Sequence, residues 1–217
     1  MKYCLETIVL NSKIKRPENA IIFCHGYGGN NKTVALFANN WAKFLPNTLI
    51  FCPQGREKDL NKKDGYQWFD PIDVSKDSVT PKILETELYL NNYIDEVIEK
   101  NFIDEDKVVL GGFSQGCMIS LQTAIKRSKP VNSIIGYSGK IIDLNHLKKN
   151  IKSKPKIFLI HGGQDKVINI KYHSQTCNFL KKEGFKIETK IFHNCDHKIP
   201  QTGINVGLKK VKEYLSY

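Results

Sequence analysis

A serine lies between two glycines near the middle of the chain, in the segment Gly112-Phe113-Ser114-Gln115-Gly116. An apolar, β-branched run from Lys107 to Leu110 precedes this segment, and a helical pattern from Cys117 to Lys126 follows it. G-x-S-x-G between a strand and a helix is typical of a nucleophilic serine on a sharp turn, because only small neighbours let the chain turn so tightly. The alternative is a glycine-rich turn whose serine caps the helix.

An acid and a base are also present downstream. Asp165 follows the predicted strand Lys156 to Ile160, and both His193 and His197 follow the predicted strand Lys186 to Phe192. Serine, aspartate and histidine in this order, each after a different strand, are expected of α/β-hydrolases. Geometry alone leaves both histidines open as the base. We expect the remaining histidines to be structural or solvated: His25, His146, His161 and His173.

A second glycine-rich loop, His25 to Asn30, follows the predicted strand Ala20 to Cys24. Its glycines allow the backbone to curl so that the N–H of Tyr27 joins the N–H of Gln115 in an oxyanion hole. The alternative, a phosphate-binding loop, is weaker because neither G-x-G-x-x-G nor a G-K-[ST] ending is present.

The elements that must position these residues alternate between strand and helix, which predicts a doubly wound α/β sheet. Only about seventeen residues separate Ser138 from Lys156, too few for a large lid. The 217 residues predict a single domain, 1–217. The predicted elements are strands 3–10, 20–24, 48–52, 107–110, 133–137, 156–160 and 186–192, and helices 33–45, 82–101 (entered through Pro81 with Thr80 as N-cap), 117–126, a short one after 138, 170–182 and 204–215.

Composition excludes several classes of function. The net charge is +11, but the chain has only three arginines and its lysines are scattered, so we expect a solvated surface and no nucleic-acid partner. No run of about 20 apolar residues is present, which predicts no membrane insertion and a cytoplasmic protein. The six cysteines lack C-x-x-C spacing, so we expect reduced, mostly buried thiols and neither a metal nor an organic cofactor.

The long connection from Arg56 to Thr80 carries Trp68 and Phe69 among polar residues. Two interpretations are equally favoured. The aromatic rings line an apolar substrate groove, or they anchor the connection to the core.

Five blocks of sequence resemble the acyl-protein thioesterase and small carboxylesterase family, also called phospholipase/carboxylesterase: HGYGGN at His25, CPQG at Cys52 followed by QWFD, LGGFSQG at Leu110, HGGQDKVI at His161 and DHKI at Asp196. The blocks span nearly the whole chain. The resemblance implies an α/β-hydrolase fold, three layers (αβα) around a mostly parallel sheet, without a large lid domain.

The resemblance also implies the roles of residues. Ser114 is expected to be the nucleophile, Asp165 the acid, and His197, in place of His193, the base, with the amides of Tyr27 and Gln115 as oxyanion donors. The chain departs from the family pattern at Asn194 and Asp196, where small residues are usual, and at Cys117-Met118, which is bulkier than the usual Gly-Ala.

The expected activity is that of a serine carboxylesterase or thioesterase. It would hydrolyse a small acyl ester or an acylated protein through an acyl-enzyme, without a metal. The alternatives are a lysophospholipase and a non-catalytic binding protein with the same fold. A homodimer is left open.

Overall fold

A seven-stranded β-sheet forms the centre of the protein. The computed structural model describes residues 2–71 and 78–217. The sheet contains β1 (Thr7–Leu10), β2 (Asn19–Cys24), β3 (Thr48–Pro53), β6 (Val108–Phe113), β7 (Ser133–Tyr137), β8 (Lys156–Gly162) and β9 (Ile187–Phe192), while β4 (Glu57–Lys58) and β5 (Tyr66–Gln67) form a separate hairpin. The strand order is β1-β3-β2-β6-β7-β8-β9, and all strands are parallel except β1, which pairs antiparallel with β3.

Helices cover both faces of this sheet. The helices are α1 (Asn31–Ala42), α2 (Pro81–Asn101), α3 (Gln115–Ile125), α4 (Leu144–Lys149), α5 (Ile170–Lys182) and α6 (Gln201–Tyr214). α1 and α6 contribute Trp41 and Val211 to one apolar core, and α2 to α5 contribute side chains such as Leu90 and Leu121 to the core on the opposite face. The protein therefore has the three αβα layers that were predicted.

The central strands read as continuous apolar runs because both of their faces are buried. In β2 every residue is buried, and successive side chains point to opposite faces. Ile21 and Phe23 lie in the core beneath α1 and α6, whereas Ala20 and Ile22 lie in the core beneath α2 and α3.

The order of the strands reverses between β2 and β6. β3 and β1 lie on one side of β2, and β7, β8 and β9 follow β6 in chain order on the other side. In open α/β sheets, ligands bind beyond the carboxyl ends of the strands at such a switch point. The loops after β2 and β6 begin at Cys24 and Phe113, so they carry the two glycine-rich segments to this place.

The predicted fold class is confirmed, and several elements have the bounds predicted for them. β7 and α5 match at both ends. α2 begins at Pro81, and the side chain of Thr80 caps it by accepting a hydrogen bond from Ile83 N at 3.3 Å.

Other bounds differ from the prediction. β1 begins at Thr7 and not at Tyr3. α1 begins at Asn31 and not at Thr33, because Asn30 and Thr33 form a reciprocal capping box that starts the helix earlier. α6 begins at Gln201, directly after Pro200, and not at Ile204.

The connection Arg56 to Thr80, predicted to be irregular, contains the β4–β5 hairpin, and its residues 72–77 lie outside the described residues. The connection from Ser138 to Lys156 contains only the short helix α4, so no large lid is present there. Across residues 2–71 and 78–217, none of the helices combines the length and apolar character needed to cross a bilayer.

Candidate active site

Ser114 sits on a strained turn between β6 and α3. Its backbone angles are φ 54° and ψ −116°, a region that side chains rarely adopt. A Cβ on Gly112 would lie 2.4 Å from the backbone of Gly116, and a Cβ on Gly116 would lie 2.2 Å from Cys24 O. Both glycines of the motif are thus required by close backbone packing. The Ser114 side chain makes no capping hydrogen bond with the helix, which argues against the helix-cap alternative.

The structure brings Ser114, His197 and Asp165 into one hydrogen-bonded row. His197 Nε2 lies 3.0 Å from Ser114 Oγ, and His197 Nδ1 lies 2.7 Å from Asp165 Oδ2. Because a carboxylate only accepts, Nδ1 carries the proton and Nε2 is left to accept one from the serine hydroxyl. This arrangement can activate a hydroxyl for attack on a carbonyl.

Asp165 is fixed by its own loop. It is 3% exposed, and its Oδ1 accepts hydrogen bonds from the N–H groups of Val167 at 2.9 Å and Ile168 at 2.8 Å. Its Oδ2 faces His197 Nδ1 at 2.7 Å and His161 Nε2 at 3.4 Å, so two backbone donors and two imidazoles surround the carboxylate.

The two candidate bases, His193 and His197, lie in different environments. His197 is half-buried, and the Phe113 ring packs against it with centroids 4.8 Å apart. His193 is exposed on the turn that directly follows β9. The structure thus places His197, and not His193, beside Ser114.

Asn194 and Asp196 have no left-handed backbone angles, although they stand where the family usually has small residues. The close approach is supplied by the opposite loop. A Cβ on Gly162 would lie 2.4 Å from Asp196 O, and a Cβ on Gly163 would lie 2.8 Å from His193 O. Glycines after β8 let the histidine loop lie directly on the aspartate loop.

The loop after β2 packs against the serine. Cys24 pairs with Gly112 across the two strands, and a Cβ on Gly26 would lie 3.4 Å from Ser114 Cβ. The backbone N–H groups of Tyr27 and Gln115, the two predicted oxyanion donors, have no hydrogen-bond acceptor among the described residues. They therefore remain able to bind an oxygen at the serine.

The β4–β5 hairpin supports this loop. Gly28 N donates to Tyr66 O at 3.0 Å, Tyr66 N donates to Gly29 O at 2.8 Å, and the Tyr27 hydroxyl donates to Asp59 at 3.1 Å. No sequence pattern predicts this contact, because the hairpin strands have only two residues each.

Trp68 and Phe69, one of whose two interpretations was a substrate groove, are 3% and 0% exposed and belong to the core beneath α2 and α3. Trp68 Nε1 donates to His25 O at 2.9 Å, and the side chain of Gln115 bridges Trp68 N at 3.1 Å and Phe69 O at 2.7 Å. Trp68 borders a cavity of about 160 Å³ beside Arg56 and Tyr89, and neither Ser114 nor His197 lines that cavity. The structure favours the alternative in which both residues anchor the connection.

Three histidines outside the row are structural. His25 and His161 bond backbone groups, as predicted. His173, expected to be structural or solvated, is 2% exposed, and its ring packs against that of His161 with centroids 5.0 Å apart. Burial lowers the pKa of His25 and His173 to about 4, so both are neutral at pH 7.

All six cysteines are free and five of them are buried, as predicted. Burial raises the pKa of Cys24, Cys52 and Cys117 to about 12, so these thiols are unreactive. Cys117 lies beneath the serine turn, where a Cβ on Gly136 or Gly139 would approach its Sγ to 2.4 Å and 2.6 Å. The bulkier residue after the motif is thus accommodated by two glycines.

Two cavities are candidate places for a substrate group. One of about 250 Å³ is bordered by the loop from His25 to Gly29 and by Phe37, Phe113 and Ile199. Another, of about 580 Å³, lies between residues 140–145 and helix α5. We associate the smaller cavity with the site, because Phe113 precedes Ser114 and also contacts His197. Within the described ranges, no three His, Cys, Asp or Glu side chains are arranged to hold a metal ion.

The fold matches solved esterases over the whole chain. The crystal structure of esterase PE8 superposes with a TM-score of 0.89 at 23% identity, covering 99% of this chain and 100% of that one. The parallel sheet, its order and this likeness define an α/β-hydrolase.

The family model described as Phospholipase/Carboxylesterase matches residues 5–217. The chain therefore belongs to the phospholipase/carboxylesterase family, and it is a serine hydrolase of the α/β-hydrolase type. Acyl-protein thioesterase 1 of Debaryomyces hansenii is 26% identical over 203 residues, which cover 86% of each protein. Esterase YpfH of Escherichia coli is 23% identical over 211 residues, which cover 94% of this chain and 86% of that protein. The family resemblance drawn from the sequence is confirmed, and these relatives support hydrolysis of esters or thioesters.

Proposed function

We propose that this protein is a carboxylesterase or thioesterase that cleaves acyl esters through a covalent acyl-enzyme on Ser114. The observation that carries the proposal is the row in which Asp165 Oδ2 lies 2.7 Å from His197 Nδ1 and His197 Nε2 lies 3.0 Å from Ser114 Oγ. The second distance suits proton transfer from the serine to the imidazole, and the first lets Asp165 orient the ring for it.

The reaction follows from these contacts. His197 Nε2 accepts the hydroxyl proton as Ser114 Oγ attacks the carbonyl carbon, and Asp165 stabilises the imidazolium. The amides of Tyr27 and Gln115 bind the oxyanion, each contributing about 3–4 kcal/mol to the transition state. His197 then gives the proton to the leaving alcohol or thiol, and water attacks the acyl-enzyme with the same base.

The substrates that fit this chemistry are a small acyl ester or an acylated protein. The apolar border formed by Phe37, Phe113 and Ile199 supports a substrate with an apolar group beside the carbonyl. We further propose that the protein acts as a single domain in the cytoplasm, without a metal, an organic cofactor or nucleic acid.

Labelling with a fluorophosphonate probe tests the proposal, because the probe reacts with an activated serine. The wild-type protein is expected to be labelled and to hydrolyse p-nitrophenyl esters and acyl thioesters in the presence of EDTA. Ser114→Ala is expected to lose labelling and roughly 10⁴-fold or more of the activity. An unlabelled wild-type protein would indicate a binding protein with this fold, and more than a tenth of wild-type turnover in Ser114→Ala would contradict the assignment of the nucleophile.

A further inference from the structure

His25 is a buried side chain that the proposed reaction leaves without a task. It is 1% exposed and lies at the first position of the loop after β2. The Trp68 ring packs against its imidazole with centroids 5.3 Å apart. The imidazole is thus held between the core and the loop that carries Tyr27.

Both ring nitrogens of His25 contact backbone groups. Nδ1 lies 2.7 Å from Gly26 O, and Gly55 N donates to Nε2 at 2.9 Å. A carbonyl oxygen can only accept and an amide N–H can only donate, so the proton must be on Nδ1 and the lone pair on Nε2. The Gly55 contact therefore selects the tautomer that donates to Gly26.

The carbonyl of Gly26 belongs to the same peptide group as the N–H of Tyr27. The described residues contain no cis peptide bonds, so this C=O and this N–H point in opposite directions. Gly26 O accepts a second hydrogen bond, from Gly29 N at 3.0 Å. Two donors that hold the oxygen on one side consequently aim the Tyr27 N–H toward the other side.

Gly26 itself lies beside the serine. Gly26 approaches the nucleophile so closely that an added Cβ would lie 3.0 Å from the Phe113 ring and 3.4 Å from Ser114 Cβ. The preceding peptide is also fixed, because Trp68 Nε1 donates to His25 O at 2.9 Å. We propose that His25 is a positioning residue of the oxyanion hole, which holds the Gly26–Tyr27 peptide so that the Tyr27 N–H faces the reacting carbonyl.

This inference rests on the proposed function, since it requires an oxyanion to form at Ser114. A donor aimed before the reaction needs no reorganisation as the charge develops. Loss of the His25 contact should therefore lower kcat and leave KM nearly unchanged, because the N–H acts mainly on the transition state.

Two substitutions separate the contacts of His25. In His25→Asn the amide nitrogen can take the place of Nδ1 and donate to Gly26, whereas in His25→Gln the amide oxygen reaches toward Gly55 N and nothing replaces the Nδ1–H donor. Both variants lose the ring against Trp68, so they are matched in packing. Melting temperatures of both variants control for loss of the fold.

We expect His25→Gln to lose roughly ten- to a hundredfold in kcat on p-nitrophenyl acetate, part of the 10²–10³-fold lost when a whole donor is removed. Its KM should stay within about threefold, and its affinity for a trifluoromethyl ketone, whose adduct carries an oxyanion, should fall by the same factor as kcat. His25→Asn should stay within about fivefold of the wild type in all three measurements. Equal losses in both variants that follow their melting temperatures, or a His25→Gln variant with wild-type kcat, would overturn the inference.

A measurement on the wild-type protein avoids any variant that fails to fold. Long-range ¹H–¹⁵N NMR should show His25 as the neutral Nδ1–H tautomer between pH 6 and 8, and an Nε2–H tautomer would overturn the inference. Ser114→Ala measured in the same assay separates the two proposals. If Ser114→Ala is inactive while His25→Gln is fully active, the positioning role fails and the proposed function stands.

Discussion

Replacing Trp68 with alanine is expected to destabilise the fold strongly while leaving the preference for acyl-chain length unchanged. Trp68 is 3% exposed, packs in the core beneath α2 and donates from Nε1 to His25 O at 2.9 Å. A tryptophan buries about 150–250 Å², which at about 25 cal/mol per Å² corresponds to roughly 4–6 kcal/mol. Since measured Trp→Ala changes in cores are about 3–5 kcal/mol, we expect a loss of about 4 kcal/mol in the free energy of unfolding.

Urea unfolding at 25 °C measures this loss, with Trp68→Phe as the matched control. Phenylalanine keeps an aromatic ring beside His25 but removes the Nε1–H donor, so we expect a loss of about 1–3 kcal/mol.

The kinetic test uses acetyl and octanoyl esters of one alcohol. If Trp68 lined the acyl site, losing contact with two methylenes would cost about 1.6 kcal/mol, or roughly 15-fold, for the longer chain alone. We expect the ratio of the two kcat/KM values to stay within about twofold of the wild type. A change of more than tenfold in this ratio, with an unfolding free energy lowered by less than about 1 kcal/mol, would refute the assignment of Trp68 as an anchor.

Three further predictions concern the histidines and the serine turn. His197→Ala should lower kcat/KM by roughly 10³-fold or more in an ester assay. His193 is exposed, so His193→Ala should lower kcat/KM by less than about tenfold in the same assay, and the reverse pattern would assign the base to His193. In urea unfolding, Ser114→Gly should be more stable than Ser114→Ala by about 1 kcal/mol in the free energy of unfolding, because glycine adopts φ 54° and ψ −116° without strain. The opposite order would show that the turn is unstrained. Burial lowers the pKa of His25 and His173 to about 4 in the folded state, whereas an unfolded histidine titrates near about pH 6.5. The unfolded chain therefore binds more protons than the folded protein below about pH 6.5. The free energy of unfolding should be highest above that pH and should fall between about pH 6.5 and 4 by up to about 1.4 kcal/mol per pH unit for each histidine. Urea unfolding at pH 7 and pH 5 should differ by roughly 4 kcal/mol for the two histidines together, and equal stability at the two values would contradict the burial of neutral imidazoles.

Local sequence signals were sufficient for much of the fold. β7 is a fully buried run, and α2 carries both a proline at its first turn and a threonine cap, so these elements need no distant contact to be recognised. The start of α1 was missed because Thr33, and not the glutamate or glutamine of the usual capping box, completes the box with Asn30.

The candidate site was less accessible from sequence, because its geometry depends on contacts between distant segments. Spacing could not choose between His193 and His197, since both follow the same strand, and only the family resemblance favoured His197. The position of Trp68 depends on a hydrogen bond to His25, 43 residues away, for which the sequence carries no pattern. The burial of His173 likewise depends on other elements, since Thr189 and His161 contact its ring.

The packing of Cys117 against Gly136 and Gly139 has a consequence for how this chain can vary. The thiol occupies volume that a methyl group on either glycine would need, with approaches of 2.4 Å and 2.6 Å to its Sγ. Space beneath the serine turn is therefore shared between position 117 in α3 and the end and following loop of β7. In a chain with alanine in place of Cys117, an added Cβ at position 136 would lie 3.7 Å from the Cβ of residue 117, and only the end of the Leu159 side chain, at 2.8 Å, would have to move. Position 139 differs, because its added Cβ would lie 2.6 Å from the Cβ of residue 117, which alanine keeps. The tolerance of position 136 therefore depends on the residue at 117, whereas position 139 requires glycine with either cysteine or alanine there.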